Sequence, residues 1–321
     1  MALIMGTPEE GKRWFQENVG RGGAIPLGRK SAQEQQNSST QGPTESDTQQ
    51  FMEQMAQETR GQWSAYRPEV IEAYKKGDRA GLSFEGSGAW IEASEARIQA
   101  ALKSTHGSDE SSMVDCFVAY AGRCDITLDL DSWTWGWLVY HQQNHGTGYG
   151  KTMKDHFALV KYLEQNSGNL TVQQKLAKVR AIADEVNSFG NGCLSIVYPA
   201  YYYAAETGQD PRAFVLHLTS YTHTHADAKS AVNLLLDIIE GKGYTPPTEE
   251  YLREKHILEV PTASNTLQAA MYIADAQTEE EVIRRGIRAG GDADSTLATA
   301  MLLWALNVAE DRKSTRLNSS H

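Results

Sequence analysis

Cysteine is scarce in this chain: three residues, Cys116, Cys124 and Cys193, among 321. An odd number at spacings that match no zinc pattern excludes a disulfide framework and fits buried thiols in a reducing compartment, so a cytoplasmic location is expected. Positive charge is also in short supply, with Lys+Arg 30 against Asp+Glu 41 and a net charge of -11. Without a basic cluster the chain gains nothing from counterion release on a phosphate backbone, and direct nucleic-acid binding is not expected. Long apolar runs are missing too. The opening MALIMGTPEEGKRW has no sustained apolar core behind a basic segment, so neither a signal peptide nor a membrane partner is expected.

What is present reads as helix. Ser31 to Gln62 is polar and rich in Gln, Ser, Thr and Glu, an exposed loop leading into a surface helix. Further on, Met153, Phe157, Val160 and Glu164 follow helical spacing, and Leu267, Ala270, Met271 and Ala274 repeat it. Lys229 to Ile239 and Leu297 to Val308 are apolar enough to be buried in a bundle. Asp210 before Pro211 is a helix start, and Thr278 with Glu281 has capping-box spacing. Strand signals are confined to Ile126 to Leu130 and Cys193 to Tyr203, the second too aromatic and alanine-rich to be decisive. The expected fold is all-α, a single-domain helical bundle over residues 1–310, with Gly86 to Gly148 the least predictable part. The closing DRKSTRLNSSH, Asp311 to His321, matches one reading frame of a common sequencing adapter, which implies a non-native tail and a natural chain that continues past Glu310.

Three polar constellations could carry chemistry. In Gly290-Gly291-Asp292-Ala293-Asp294-Ser295 the glycines let the chain leave one helix sharply, and two carboxylates two apart can point to the same side. Asp292, Asp294 and Ser295 at a helix start suit a hard cation that prefers oxygen ligands, although Asp and Ser are also ordinary caps. In Asn187-Ser188-Phe189-Gly190-Asn191-Gly192 glycines permit close approach to a diphosphate and Phe189 could stack a base; the plainer reading is a turn with one core Phe. Tyr221-Thr222-His223 opens THTHAD, where His223 and His225 alone make a poor zinc site.

Together, in this order, the three segments resemble the ADP-ribosyl hydrolase (ADP-ribosylglycohydrolase) family. The first is similar to its C-terminal metal motif GGDTDT, the second to its GSYGNG segment and the third to its TH segment, and the likeness runs from about Lys175 to Leu306. The resemblance implies an all-α orthogonal bundle that binds two magnesium ions, or manganese, through Asp292, Asp294 and Ser295. It also implies that Ser188, Phe189, Gly190, Asn191, Gly192 and His223 hold ADP-ribose.

The family's tandem aspartate motif TDDT has its nearest counterpart in Glu45-Ser46-Asp47-Thr48. Ser46 replaces one aspartate, and Glu45 would have to restore a carboxylate with a longer reach, which magnesium tolerates badly. Ser46 with Gln49 also reads as a capping box. A GDALG-like segment with its following glutamate is not found; Gly22 to Lys30 is the nearest glycine-rich piece and carries no acid. His145 to Thr152, HGTGYGKT, misses phosphate-loop spacing by one residue and is expected to be a turn before the Met153 helix. Trp133, Trp135 and Trp137, beside Asp129 and Asp131, could wall a cleft but are expected to pack an edge of the core.

The function implied is hydrolysis of a glycosidic bond to ADP-ribose, releasing it from a protein side chain or related conjugate. Two metal ions held by Glu45, Ser46, Asp47, Asp292, Asp294 and Ser295 would fix the ribose and acidify a water, with Asp47 and Asp294 as the catalytic carboxylates and Asp47 as the base. The partner is an ADP-ribosylated protein or ADP-ribose conjugate, and the chain is expected to be monomeric. The irregular N-terminal acids favour an alternative, a non-catalytic ADP-ribose-binding or structural member of the same fold.

Overall fold

Helical spacing in the middle and end of the chain is realised as eleven α-helices among the described residues, and the only β pairing there is an isolated bridge between Gly190 and Thr262. The computed structural model describes residues 109–318, apart from 125–127, 147–148, 256, 260 and 291. In order the helices are α1 (Asp109–Ala121), α2 (Leu130–Asn144), α3 (Lys151–Asn166), α4 (Val172–Val186), α5 (Leu194–Glu206) and α6 (Pro211–Thr219). Then come α7 (Ala226–Ile239), α8 (Glu249–Glu254), α9 (Ala263–Ala274), α10 (Glu279–Ala289) and α11 (Ala293–Asn318). Among these residues no helix is long and apolar enough to cross a membrane.

The helix starts follow side-chain chemistry. Asp210 accepts from the Ala213 N–H at 3.0 Å with Pro211 as the first helical residue, as expected. Thr278 caps the Glu281 N–H at 3.2 Å, while the Glu281 carboxylate accepts from the Gln277 N–H, one residue earlier than a capping box requires. Thr171 and Gln174 make a complete capping box on α4, satisfying two otherwise orphaned N–H groups. Of the two strand-like stretches, Cys193 to Tyr203 is helical: it falls in a short 3-10 turn, Asn191–Cys193, and in α5. Pro199 weakens that helix locally. Burial of Leu194, Ile196, Val197, Ala200, Tyr203 and Ala204 offsets the loss.

Two regions of core position the polar residues. Phe117 and Tyr120 of α1 meet Trp133 and Trp137 of α2 and Tyr203 of α5, and Phe117 lies edge-on to Trp137 at 5.3 Å. The polar atoms inside are paired: Tyr120 Oη donates to the Trp133 carbonyl at 2.8 Å, and Trp133 Nε1 donates to Tyr203 Oη at 2.9 Å. Close approach of α1 and α2 depends on Gly136, where a Cβ would stand 2.1 Å from Tyr120 Oη. The three tryptophans therefore pack as core and do not wall a cleft; Trp135, on the other helix face, donates to Glu164 at 3.0 Å. The second region joins α9, α10 and α11, with Leu267, Ala270, Ile273, Val282, Ala300 and Leu303 nearly or fully buried. It packs α11 against α9 and α10.

Candidate functional site

The chain leaves α10 through Gly290, whose φ of 70° and ψ of -146° belong to a region that residues with a Cβ avoid. That turn carries Asp292 to the mouth of α11, where its carbonyl accepts the Thr296 N–H at 3.1 Å and Thr296 Oγ1 at 2.8 Å. Asp292, Asp294 and Ser295 thus occupy the N-terminal end of a helix, where unsatisfied N–H groups and the helix dipole favour negative charge. Ser295 is buried and donates its hydroxyl to Glu110 Oε1, from the first turn of α1. Asp292 Oδ2 accepts from Asn191 Nδ2 at 2.6 Å, and the same amide reaches Thr266 Oγ1 of α9 at 3.1 Å. Residues far apart in sequence are brought together by the starts of α1, α9 and α11 and by the 3-10 turn.

The electrostatics follow from that crowding. Burial raises the Asp292 carboxyl to about 6; a side-chain bond to Asp294 and the charges of Asp294 and Glu110 push the same way, and the Asn191 donor opposes them. An acid held that high beside two others belongs to a carboxylate group short of positive charge.

From Asn191 the turn leads to a neutral, histidine-lined region. Asn187 ends α4 in the left-handed conformation, φ 50°. The loop after it is pinned by backbone bonds: the His225 N–H to the Ser188 carbonyl at 3.2 Å and the Ala263 N–H to the Phe189 carbonyl at 2.9 Å. Ser188 is buried, with its Oγ accepting from the Gly190 N–H at 3.4 Å. A Cβ built on Gly190 would sit 3.7 Å from His223 Nε2, and one on Gly192 3.9 Å from it, so His223 lies across this loop. Its Nδ1 pairs with Thr222 Oγ1 at 2.8 Å. Burial, then the neighbouring His156, lowers His223 to about 4. His156 is itself lowered to about 4 by burial, and His141, bonded to Tyr149 Oη at 2.8 Å, is lowered to about 3, again chiefly by burial. All three rings are neutral at pH 7.

The structure brings together Asp292, Asp294, Ser295, Asn191, Gly190, Gly192, Ser188 and His223 from the expected set. Phe189 is buried with its ring edge-on to His225 at 5.6 Å, the geometry of a core aromatic. His225 caps α7 through Nδ1, which accepts the Asp227 N–H at 3.1 Å. Glu45, Ser46 and Asp47 lie outside the described residues. Among the described residues the acid that reaches the α11 start from the earlier part of the chain is Glu110, which sequence reasoning missed. A signal was there: Ser108-Asp109-Glu110-Ser111 sets two adjacent acids between hydroxyl residues ahead of an apolar helix.

Glu110, Asp292, Asp294 and Ser295 offer only oxygen, the donor set of a hard divalent cation. Among the described residues no group of three His, Cys, Asp or Glu stands at metal-cage spacing. No protein-family profile matches the chain, and no curated protein does.

Proposed function

We propose that the chain hydrolyses a glycosidic bond to ADP-ribose, as an all-α protein of the ADP-ribosyl hydrolase type. The observation that carries this reading is the continuity of the two ends. Asn191 bonds the acid cluster through Asp292, and its glycine neighbours lie under His223. One side of the turn thus suits a divalent cation, and the other suits the backbone-held diphosphate of a nucleotide. Magnesium, held by Asp292, Asp294 and Ser295 with Glu110 behind them, would supply a Lewis acid that orients ribose hydroxyls and acidifies a water.

The chain's own residues divide the remaining work. Glu110 takes the place sought for an N-terminal acid, fixing Ser295 through its hydroxyl. Asp294 is exposed at the helix mouth, where a carboxylate can face a ribose and stabilise positive charge developing at its anomeric carbon. Ser188, Gly190, Gly192 and His223 line the nucleotide side.

The test is release of ADP-ribose from peptides mono-ADP-ribosylated on arginine or serine, with magnesium and with EDTA. Magnesium-dependent release, abolished in Asp294→Ala, is the expected result. Calorimetric binding of ADP-ribose with no release would replace hydrolysis by the non-catalytic binding role. Absence of both would overturn the reading.

A further inference from the structure

The loop that lies across from His223 is held from both sides, by the start of α7 and the start of α9. The His225 N–H donates to the Ser188 carbonyl at 3.2 Å, the Ala263 N–H donates to the Phe189 carbonyl at 2.9 Å, and Gly190 pairs with Thr262 in the isolated bridge. Each helix start has a cap of its own: His225 Nδ1 accepts the Asp227 N–H at 3.1 Å, and Thr262 Oγ1 accepts the Asn265 N–H at 3.1 Å. Asp227 adds a tie between the two. Its Oδ2 accepts the Ser264 N–H of α9 at 3.2 Å, and Ser264 Oγ donates to the Asp227 carbonyl at 3.3 Å. The pair spans 37 residues, so no local capping rule requires it. Asp227 lies in the first turn of α7 and reaches the first turn of α9, where unsatisfied N–H groups and the helix dipole both favour a carboxylate.

We propose that Asp227 is a positioning residue for the nucleotide: by tying α7 to α9 it fixes the spacing between the Gly190 to Gly192 backbone and His223. This rests on the ADP-ribose reading of that loop. His223 stands two residues before the His225 cap, and Thr224 between them donates to the Ala183 carbonyl of α4 at 2.8 Å, so the ring follows the α7 start. Phe189 and Gly190 follow the α9 start through their bonds to Ala263 and Thr262. The gap between ring and loop, 3.7 Å from a Cβ built on Gly190 to His223 Nε2, is therefore set by what fixes one helix start against the other. Apolar packing deeper in the helices is non-directional, whereas a hydrogen bond holds a distance within a few tenths of an ångström. Asp227 does this as an acceptor of a backbone N–H, and it acts through the loop without touching the ligand.

Calorimetry of ADP-ribose with the full chain, paired with amide hydrogen exchange on the unliganded protein, tests the proposal. Asp227→Ala should weaken ADP-ribose about tenfold, through pre-organisation that one hydrogen bond to a charged group maintains, and should speed exchange of the His225 and Ala263 amides. Asp227→Asn keeps an acceptor oxygen and should stay within about threefold of wild type. In magnesium-dependent turnover the loss should appear in KM with kcat unchanged, because the acid cluster is untouched. Wild-type affinity in Asp227→Ala, measured well below its Tm, would overturn the proposal, since a purely structural residue lowers Tm alone. So would an Asp227→Asn as weak as Asp227→Ala, or a fall in kcat at unchanged KM, which would move the effect to the acid cluster. If Asp227→Ala does not fold, Ser264→Ala decides, because it removes one bond of the reciprocal pair: weakened binding supports the proposal and unchanged binding overturns it. If wild type binds no ADP-ribose, that reading falls and exchange decides the tie. Faster exchange at both amides in Asp227→Ala, restored in Asp227→Asn, then keeps Asp227 as the residue that positions the loop, and unchanged exchange removes it as well.

Discussion

Burial acts on both sides of the Asn191 turn, and the groups on the two sides respond to it in opposite ways. On one side Asp292 is raised beside Asp294 and Glu110; on the other His141, His156 and His223 are lowered. Desolvation disfavours the charged form in each case, so an acid gains protons and a base sheds them. The outcomes differ because neutrality at pH 7 suits the histidines, whereas Asp292, once ionised, stands against the charges of Asp294 and Glu110. The acid side therefore wants a cation, and the histidine side wants only hydrogen-bond partners. That contrast is the physical content of the proposed division between metal and nucleotide.

The largest expected effect comes from setting the two sides against each other in metal-free protein. A histidine with a depressed pKa contributes its stability in full above its unfolded value of 6.5, and loses it as pH falls through the folded value, about 4 for His156 and His223 and about 3 for His141. Asp292 works in reverse: its contribution is full below 3.8 and is lost as pH rises through about 6. Three protons outweigh one. Stability should fall by more than about 5 kcal/mol between pH 6.5 and pH 4, a large share of what a typical domain has. Urea titrations across that range check this, and a flat profile would break the contrast.

The next effect is catalytic and belongs to the acid side alone. Asp294→Ala should lower magnesium-dependent release of ADP-ribose on the order of a hundredfold, the scale of losing one preorganised transition-state contact. Its pH–stability profile on the histidine side should be unchanged. Wild-type turnover in this variant would remove the acid cluster from the chemistry.

Asn191 is the hinge of the comparison, since its amide donates to both Asp292 and Thr266. Asn191→Leu leaves a half-buried carboxylate without its donor and should lower stability by about 2–3 kcal/mol at pH 8. The loss should shrink toward pH 4, where Asp292 is protonated. An equal loss at both pH values would mean that Asn191 serves packing and not charge.

The helices were legible in the sequence where apolar residues repeat, as at Phe157 and Val160 or Leu267, Ala270 and Met271, because that spacing is itself the cause of burial. Cys193 to Tyr203 was ambiguous for a physical reason: an apolar, aromatic run buried on most sides satisfies strand and helix alike, and Pro199 argued against neither decisively. Half of the candidate site was legible, because Asp292, Asp294 and Ser295 lie within one short run. Glu110 was harder to read: the run Ser108 to Ser111 offers two adjacent acids between hydroxyl residues, but which of them matters is decided by a contact 185 residues away.

The smallest effect separates charge from shape at the acid side. Asp292→Asn keeps the volume and an oxygen that can accept from Asn191, but removes the ionisation that burial, Asp294 and Glu110 oppose. Metal-free stability at pH 8 should therefore rise by about 1–2 kcal/mol, discounted for the partial exposure of the carboxylate, with little change at pH 4. Magnesium should stabilise wild type and no longer stabilise the variant, because an amide is a poorer ligand than a carboxylate for a hard cation. A gain of equal size at both pH values would assign the effect to packing. A gain confined to high pH, with magnesium stabilisation retained, would keep the strained carboxylate but move the cation to other ligands, and the two sides of the turn would then differ in charge without differing in task.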